Sequence, residues 1–186
     1  MTEILGDYTA YVARAEAAIA GFVEPYELVQ CDMLNYETPT NERYDEIKAA
    51  LLKSANLLNE TEHGGRLISI FQMTPPLQAG ERYIPYVELL QPKPTRQNID
   101  GIDSVFFVTN VAIDTVLANH PKIAKRADAK GLTNAANPYV ELKGETDGQK
   151  WAVKLHDRSM GVVLDVEKKF LEPPVTPPNY GGHISL

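Results

Sequence analysis

Apolar positions recur at helical spacing close to the start of the chain. Tyr8, Tyr11, Val12, Ala15, Ala18, Ile19 and Phe22 fall at i, i+3, i+4 and i+7, while Arg14 and Glu16 lie off that stripe. Residues 8–23 therefore read as an amphipathic helix, which Pro25 stops. Residues 26–36 (YELVQCDMLNY) read as a strand of mixed polarity. Thr40 offers an N-cap for a second helix reaching about residue 58, with Tyr44, Ile47, Leu51 and Leu58 on one face. The period then changes to two. Residues 57–62 and 66–73 (RLISIFQM) flank His63, Gly64 and Gly65, which read as a hairpin turn because glycine supplies positive φ. A further strand covers 82–90 (RYIPYVELL), where Pro85 demands an edge or a bulge.

The same order of elements then starts again. A strand at 102–109 (IDSVFFVT) is followed by a helix over about 111–124 and an irregular Asn/Ala/Gly stretch. Strands at 138–143 and 150–156 meet across a turn at 144–148, and a last helix runs over about 159–170. Asp32–Met33 and Asp103–Ser104 hold equivalent places in the two copies, as do Glu88 and His156. The layout predicts an α+β fold of two similar modules, about residues 26–92 and 100–158, within one domain over residues 1–170. The Pro- and Gly-rich residues 171–186 read as an extended tail.

Charge and composition narrow the function classes. The net charge is -7, and the longest basic clusters, Lys122 with Lys125 and Arg126, and Lys168 with Lys169, are too small for a phosphate-binding footprint. Nucleic acid is excluded as an expected partner. No apolar run approaches the ~18 residues of a membrane span, and no basic segment followed by an apolar run opens the chain. The single cysteine, Cys31, cannot form an internal disulfide. A cytoplasmic protein that does not engage membranes is the expectation, with a homodimer left open. No GxGxxG, P-loop or GxSxG motif is present.

The run ISIFQMTPPLQAGERYIPYVELLQPKP (68–94), GIDSVFFV (101–108), WAVKLH (151–156), and CDMLNY with the following NERYDEI (31–47) resemble the YecM-like family. That family lies within the vicinal-oxygen-chelate superfamily, which includes glyoxalase I and extradiol dioxygenases. The resemblance spans about residues 10–170. It implies two βαβββ-like modules forming a curved mixed sheet around a cleft, with a helix at each end. It further implies a divalent metal held by one ligand from each of four strands, with open positions for two substrate oxygens. Family members show Asp-His where this chain has Asp32–Met33, and Glu-His where it has Asp103–Ser104. Their remaining glutamate and histidine match Glu88 and His156.

Two of the four implied donors are thus replaced, by a thioether and a neutral hydroxyl. The expected reading is a metal-free cleft, needing no cofactor, that binds an unidentified small molecule. Glu88 and His156 could satisfy each other as a hydrogen-bonded pair across that cleft, or make a functional contact. Asp32 and Asp103 are candidates for pocket bases, or for structural roles, capping a turn or pairing with Arg66 or Arg158. Met33 and Ser104 are expected to fill space. One alternative is a divalent-metal-dependent lyase, isomerase or dioxygenase-like enzyme drawing on Glu88, His156, Asp32 and Asp103. Neighbouring strand residues point to opposite faces, so that route needs a bulge to re-aim the carboxylates. The other alternative is a protein-interaction module using the sheet or the tail. His63, His120, Cys31 and Trp151 read as structural.

Overall fold

Helix formation begins where the sequence supplies a cap. Asp7 accepts a hydrogen bond from the Ala10 N–H at 2.9 Å, separating the short α1 (Thr2–Leu5) from α2 (Tyr8–Ile19). The stripe read from the sequence is the buried one, with Tyr11, Val12, Ala15 and Ile19 inside. Pro25 opens a 3-10 turn that leads into β1 (Leu28–Glu37). The computed structural model describes residues 1–126, 129–133 and 137–171. The expected tail lies outside the described residues, apart from Leu171.

Thr40 caps α3 (Asn41–Leu51) by accepting from the Arg43 N–H at 3.1 Å. The helix ends seven residues before the expected Leu58. Ser54, Asn56 and Asn59 are poor helix formers, and pairing with the next strand overrides the remaining apolar periodicity. Leu58 instead belongs to β2 (Ala55–His63), which turns through Gly64 and Gly65 into β3 (Arg66–Ala79). Those glycines take φ of 60° and 77°, the positive values that a two-residue hairpin of this hand requires.

β4 (Arg82–Leu90) lies between β3 and β1, so Pro85 is on an interior strand. It is tolerated because the β3–β4 ladder breaks opposite it, between the pairs Gln72–Tyr86 and Leu77–Ile84. The bulge, not the edge, is the observed solution.

The second half opens with β5 (Gly101–Thr109). The single helix expected over 111–124 is two, α4 (Ile113–Asn119) and α5 (Pro121–Ala124). Pro121 forces the break by keeping His120 out of the helical region, at φ -122° and ψ 78°. β6 (Tyr139–Thr146) and β7 (Gln149–His156) follow, and α6 (Met160–Leu171) closes the described chain.

All seven strands form one unclosed mixed sheet in the order β2-β3-β4-β1-β5-β7-β6. In each half the first strand runs parallel to the last, β1 with β4 and β5 with β7. The halves meet through β1 and β5, which are antiparallel. The first half is a full βαβββ module. The second has no counterpart of β2 among its described residues, so the repetition covers three strands.

The two faces of the sheet are covered differently. α2 and α3 pack on one face over the main core, which includes Leu34, Val87, Val105, Phe107, Val153 and Leu155. α6 lies on the other. Its Met160, Val163 and Leu164 join Met33, Ile70 and Phe106 in a separate apolar cluster. The rest of that second face carries the polar residues that concern function.

Candidate functional site

Strand alternation would send Asp32 and Met33 to opposite faces, and likewise Asp103 and Ser104. Two bulges cancel that. Between the pairs Cys31–Phe107 and Met33–Phe106, β1 carries one extra residue, Asp32. Between Asn35–Ser104 and Tyr36–Ile102, β5 carries one extra residue, Asp103. A bulged residue escapes the pleat and can share a face with its neighbour. The re-aiming that the sequence alone left conditional is therefore present at both places.

Met33 and Phe106 form a row across β1 and β5, and Lys154 of β7 continues it. One register step to one side is the Asn35–Ser104 pair, with Glu88 beside Asn35. On the other side are Asp32 and His156. The apolar row divides the four candidate residues into two separate polar sites.

The site holding Asp32 and His156 is sealed, both residues being 0% exposed. Asp32 accepts from the backbone N–H of Met160 at 2.6 Å and from Gln30 Nε2 at 2.9 Å. Burial raises its pKa to about 6, and the Met160 N–H opposes that rise. His156 Nδ1 lies 3.1 Å from Asn137 Oδ1, an acceptor, so the ring proton sits on Nδ1. Burial, helped by the Lys154 charge, lowers the imidazole to about 4. Its Nε2 carries a lone pair 3.9 Å from Asp32 Oδ2 and has no hydrogen-bond partner among the described residues.

The other site opens into a pocket of about 300 Å³ lined by Asn35, Arg66, Lys93, Arg96, Asp103 and Lys154, with Tyr139 and Glu141 on the β6 side. Asn35 Nδ2 donates to Glu88 Oε2 at 2.6 Å. The other amide atom, Asn35 Oδ1, and the hydroxyl of its cross-strand neighbour Ser104 are buried without partners among the described residues. Burial pushes the Glu88 carboxyl up, against the pull of Lys154 and Arg66. Burial and the neighbouring Glu37 push Asp103 up as well. Buried Glu37 binds both Arg66, at 2.8 Å, and Arg96. Lys154 lies over the rings of Phe106 and Tyr139, at 4.6 and 5.3 Å from their centroids.

Several expectations need correction. Glu88 and His156 do not pair: each has another partner, and the Met33–Phe106 row lies between them. Asp32 pairs with neither Arg66 nor Arg158, since a backbone N–H and a glutamine already supply its donors. Asp103 makes no side-chain hydrogen bond among the described residues. Met33 fills space as expected, and by doing so it makes the partition. Ser104, the other replaced position, is an unpartnered hydroxyl beside the pocket. Trp151 is core, its Nε1 donating to Thr146 Oγ1 at 3.1 Å. Burial pushes the Cys31 thiol up, which keeps it unreactive. His120 bonds Glu27 at 2.9 Å. Lys154 and Asn35 were missed. Each stands two residues from a candidate, His156 and Met33, and so shares its face.

The donors present do not fit the divalent ion that the resemblance implies. Among the described residues no three His, Cys, Asp or Glu side chains converge. The carboxylates of Asp32 and Glu88 stand on opposite sides of an apolar row, and His156 faces only the former.

Similarity to known proteins bears on family and fold. The family model described as YecM protein matches residues 1–167. No curated protein matches the chain. A solved structure of Structural Genomics Protein EC4020 shares 18% identity over 88% of this chain and 94% of its own, with a TM-score of 0.58. A Streptomyces coelicolor methylmalonyl-CoA epimerase variant in complex with 2-nitronate-propionyl-CoA shares 10% identity over 69% of this chain and 97% of its own, at a TM-score of 0.44. The methylmalonyl-CoA epimerase of Mycobacterium tuberculosis shares 9% identity over 72% and 91%, at 0.40.

Proposed function

The chain belongs to the YecM protein family, and from that premise we propose that it is a small-molecule-binding protein of the vicinal-oxygen-chelate type whose cleft works without a metal. The pairing of two modules through antiparallel first strands supports the superfamily assignment. One observation carries the functional reading: Asn35 Oδ1 and Ser104 Oγ are buried beside a polar pocket with no hydrogen-bond partner among the described residues. A buried acceptor without a donor costs about 1–3 kcal/mol. Alanine at position 104 would avoid that cost. A hydroxyl retained there is accounted for by a ligand that donates to it, and a concave pocket with convergent polar groups is where such a ligand binds.

The rearranged-metal reading loses its basis in the Met33–Phe106 row. The bulges do bring both aspartates to the correct face, but on opposite sides of that row. That separation of the carboxylate and imidazole groups supports the metal-free reading.

The test is a screen of small polar fragments by protein-observed NMR. Shifts on binding should map to Asn35, Ser104, Tyr139 and Lys154. They should vanish in Ser104→Ala, whose thermal stability should equal or exceed that of the parent. Fragments that bind only away from that pocket would contradict the proposal. So would a Ser104→Ala variant that loses stability, because the hydroxyl would then have a structural partner.

A further inference from the structure

The chemistry of the pocket walls specifies more than a generic small molecule. In a chain of net charge -7, Arg66, Lys93, Arg96 and Lys154 converge on one pocket. Glu37 engages the two arginines. The ammonium groups of Lys93 and Lys154 have no hydrogen bond or ion pair among the described residues. Lys154 is held between two aromatic rings, which fix its position without supplying an acceptor. Beside these cations stand the neutral acceptors Asn35 Oδ1 and Ser104 Oγ, both buried and both unpartnered among the described residues.

Resting on the cleft reading above, we infer that the ligand is a small oxyanion with two hydroxyls, its carboxylate or phosphate on Lys154 and Lys93 and its hydroxyls donating one to Ser104 and one to Asn35. Neutral acceptors suit a hydroxyl better than an ammonium, because a buried ammonium needs a charged partner. Burial moves the two nearby carboxyls, Glu88 and Asp103, toward their neutral forms, which further favours an anion over a cation here. A lysine serves an oxyanion as a point charge, without imposing bidentate geometry. The pocket's modest volume of about 300 Å³ limits the ligand to a compact molecule.

Calorimetric titration of the full chain separates the contributions. The probes are glycerate, propionate (anion without hydroxyl), glycerol (hydroxyl without anion), serine (ammonium in place of one hydroxyl) and glycerol 3-phosphate. Glycerate or glycerol 3-phosphate should bind at least tenfold more tightly than propionate, glycerol or serine; whichever leads identifies carboxylate or phosphate as the anionic group. Lys154→Met should weaken the leading probe at least tenfold and leave glycerol unchanged. Ser104→Ala should bring that probe down toward the level of propionate. Glycerol or serine binding as tightly as glycerate would overturn the oxyanion assignment while leaving the cleft reading intact. Silence from every probe, together with an empty fragment screen, would overturn both.

Discussion

At neutral pH Asp32 is charged and His156 is neutral, two buried groups whose shifts oppose each other. Asp32 titrates near 6 in the fold against an ordinary 3.8. Its contribution to stability is therefore full below about 4 and is lost as pH rises through 6. His156 titrates near 4 against an ordinary 6.5. Its contribution is present above about 6.5 and is lost as pH falls toward 4. The two slopes run in opposite directions over the same window and nearly cancel. Each is worth up to about 3 kcal/mol, at 1.36 kcal/mol per unit. Urea denaturation between pH 4.5 and 7 should show the two contributions separately once each variant is compared with the parent chain. His156→Gln should gain stability on acidification, and Asp32→Asn should lose it. A His156→Gln profile parallel to the parent's would show that His156 is not shifted.

Helix α6 is the element that makes this half of the face apolar. Leu164 is buried against the Met33 and Phe106 cluster, whereas Val162 on the same helix is 50% exposed. Leu164→Ala should cost about 2–4 kcal/mol. Val162→Ala should cost no more than about 0.5 kcal/mol. Denaturant midpoints check both, and equal effects would mean that α6 is not docked on the sheet. Among the elements, β4 was legible to its ends, because turn signals bound its nine residues on both sides. The end of α3 was not legible. Leu51 and Leu58 stay in helical phase, and only the pairing of residues 55–63 with β3 shows that the helix has stopped.

For the molecule as a whole, the family blocks and the shared face of Glu88 and His156 could be read from the sequence. The separation of the candidates could not. It depends on cross-strand register, two bulges and a helix from the far end of the chain, and no local pattern encodes those. The same separation underlies the central claim that the cleft works without a divalent metal. A tightly held ion stabilises a fold by roughly 2.7 kcal/mol at a hundredfold excess over its Kd, so chelation of a resident metal would also be seen in melting. The direct measurement is elemental analysis of freshly purified, dialysed protein. The account predicts far less than one equivalent of manganese, iron, nickel or zinc per chain. One equivalent that survives dialysis would contradict it.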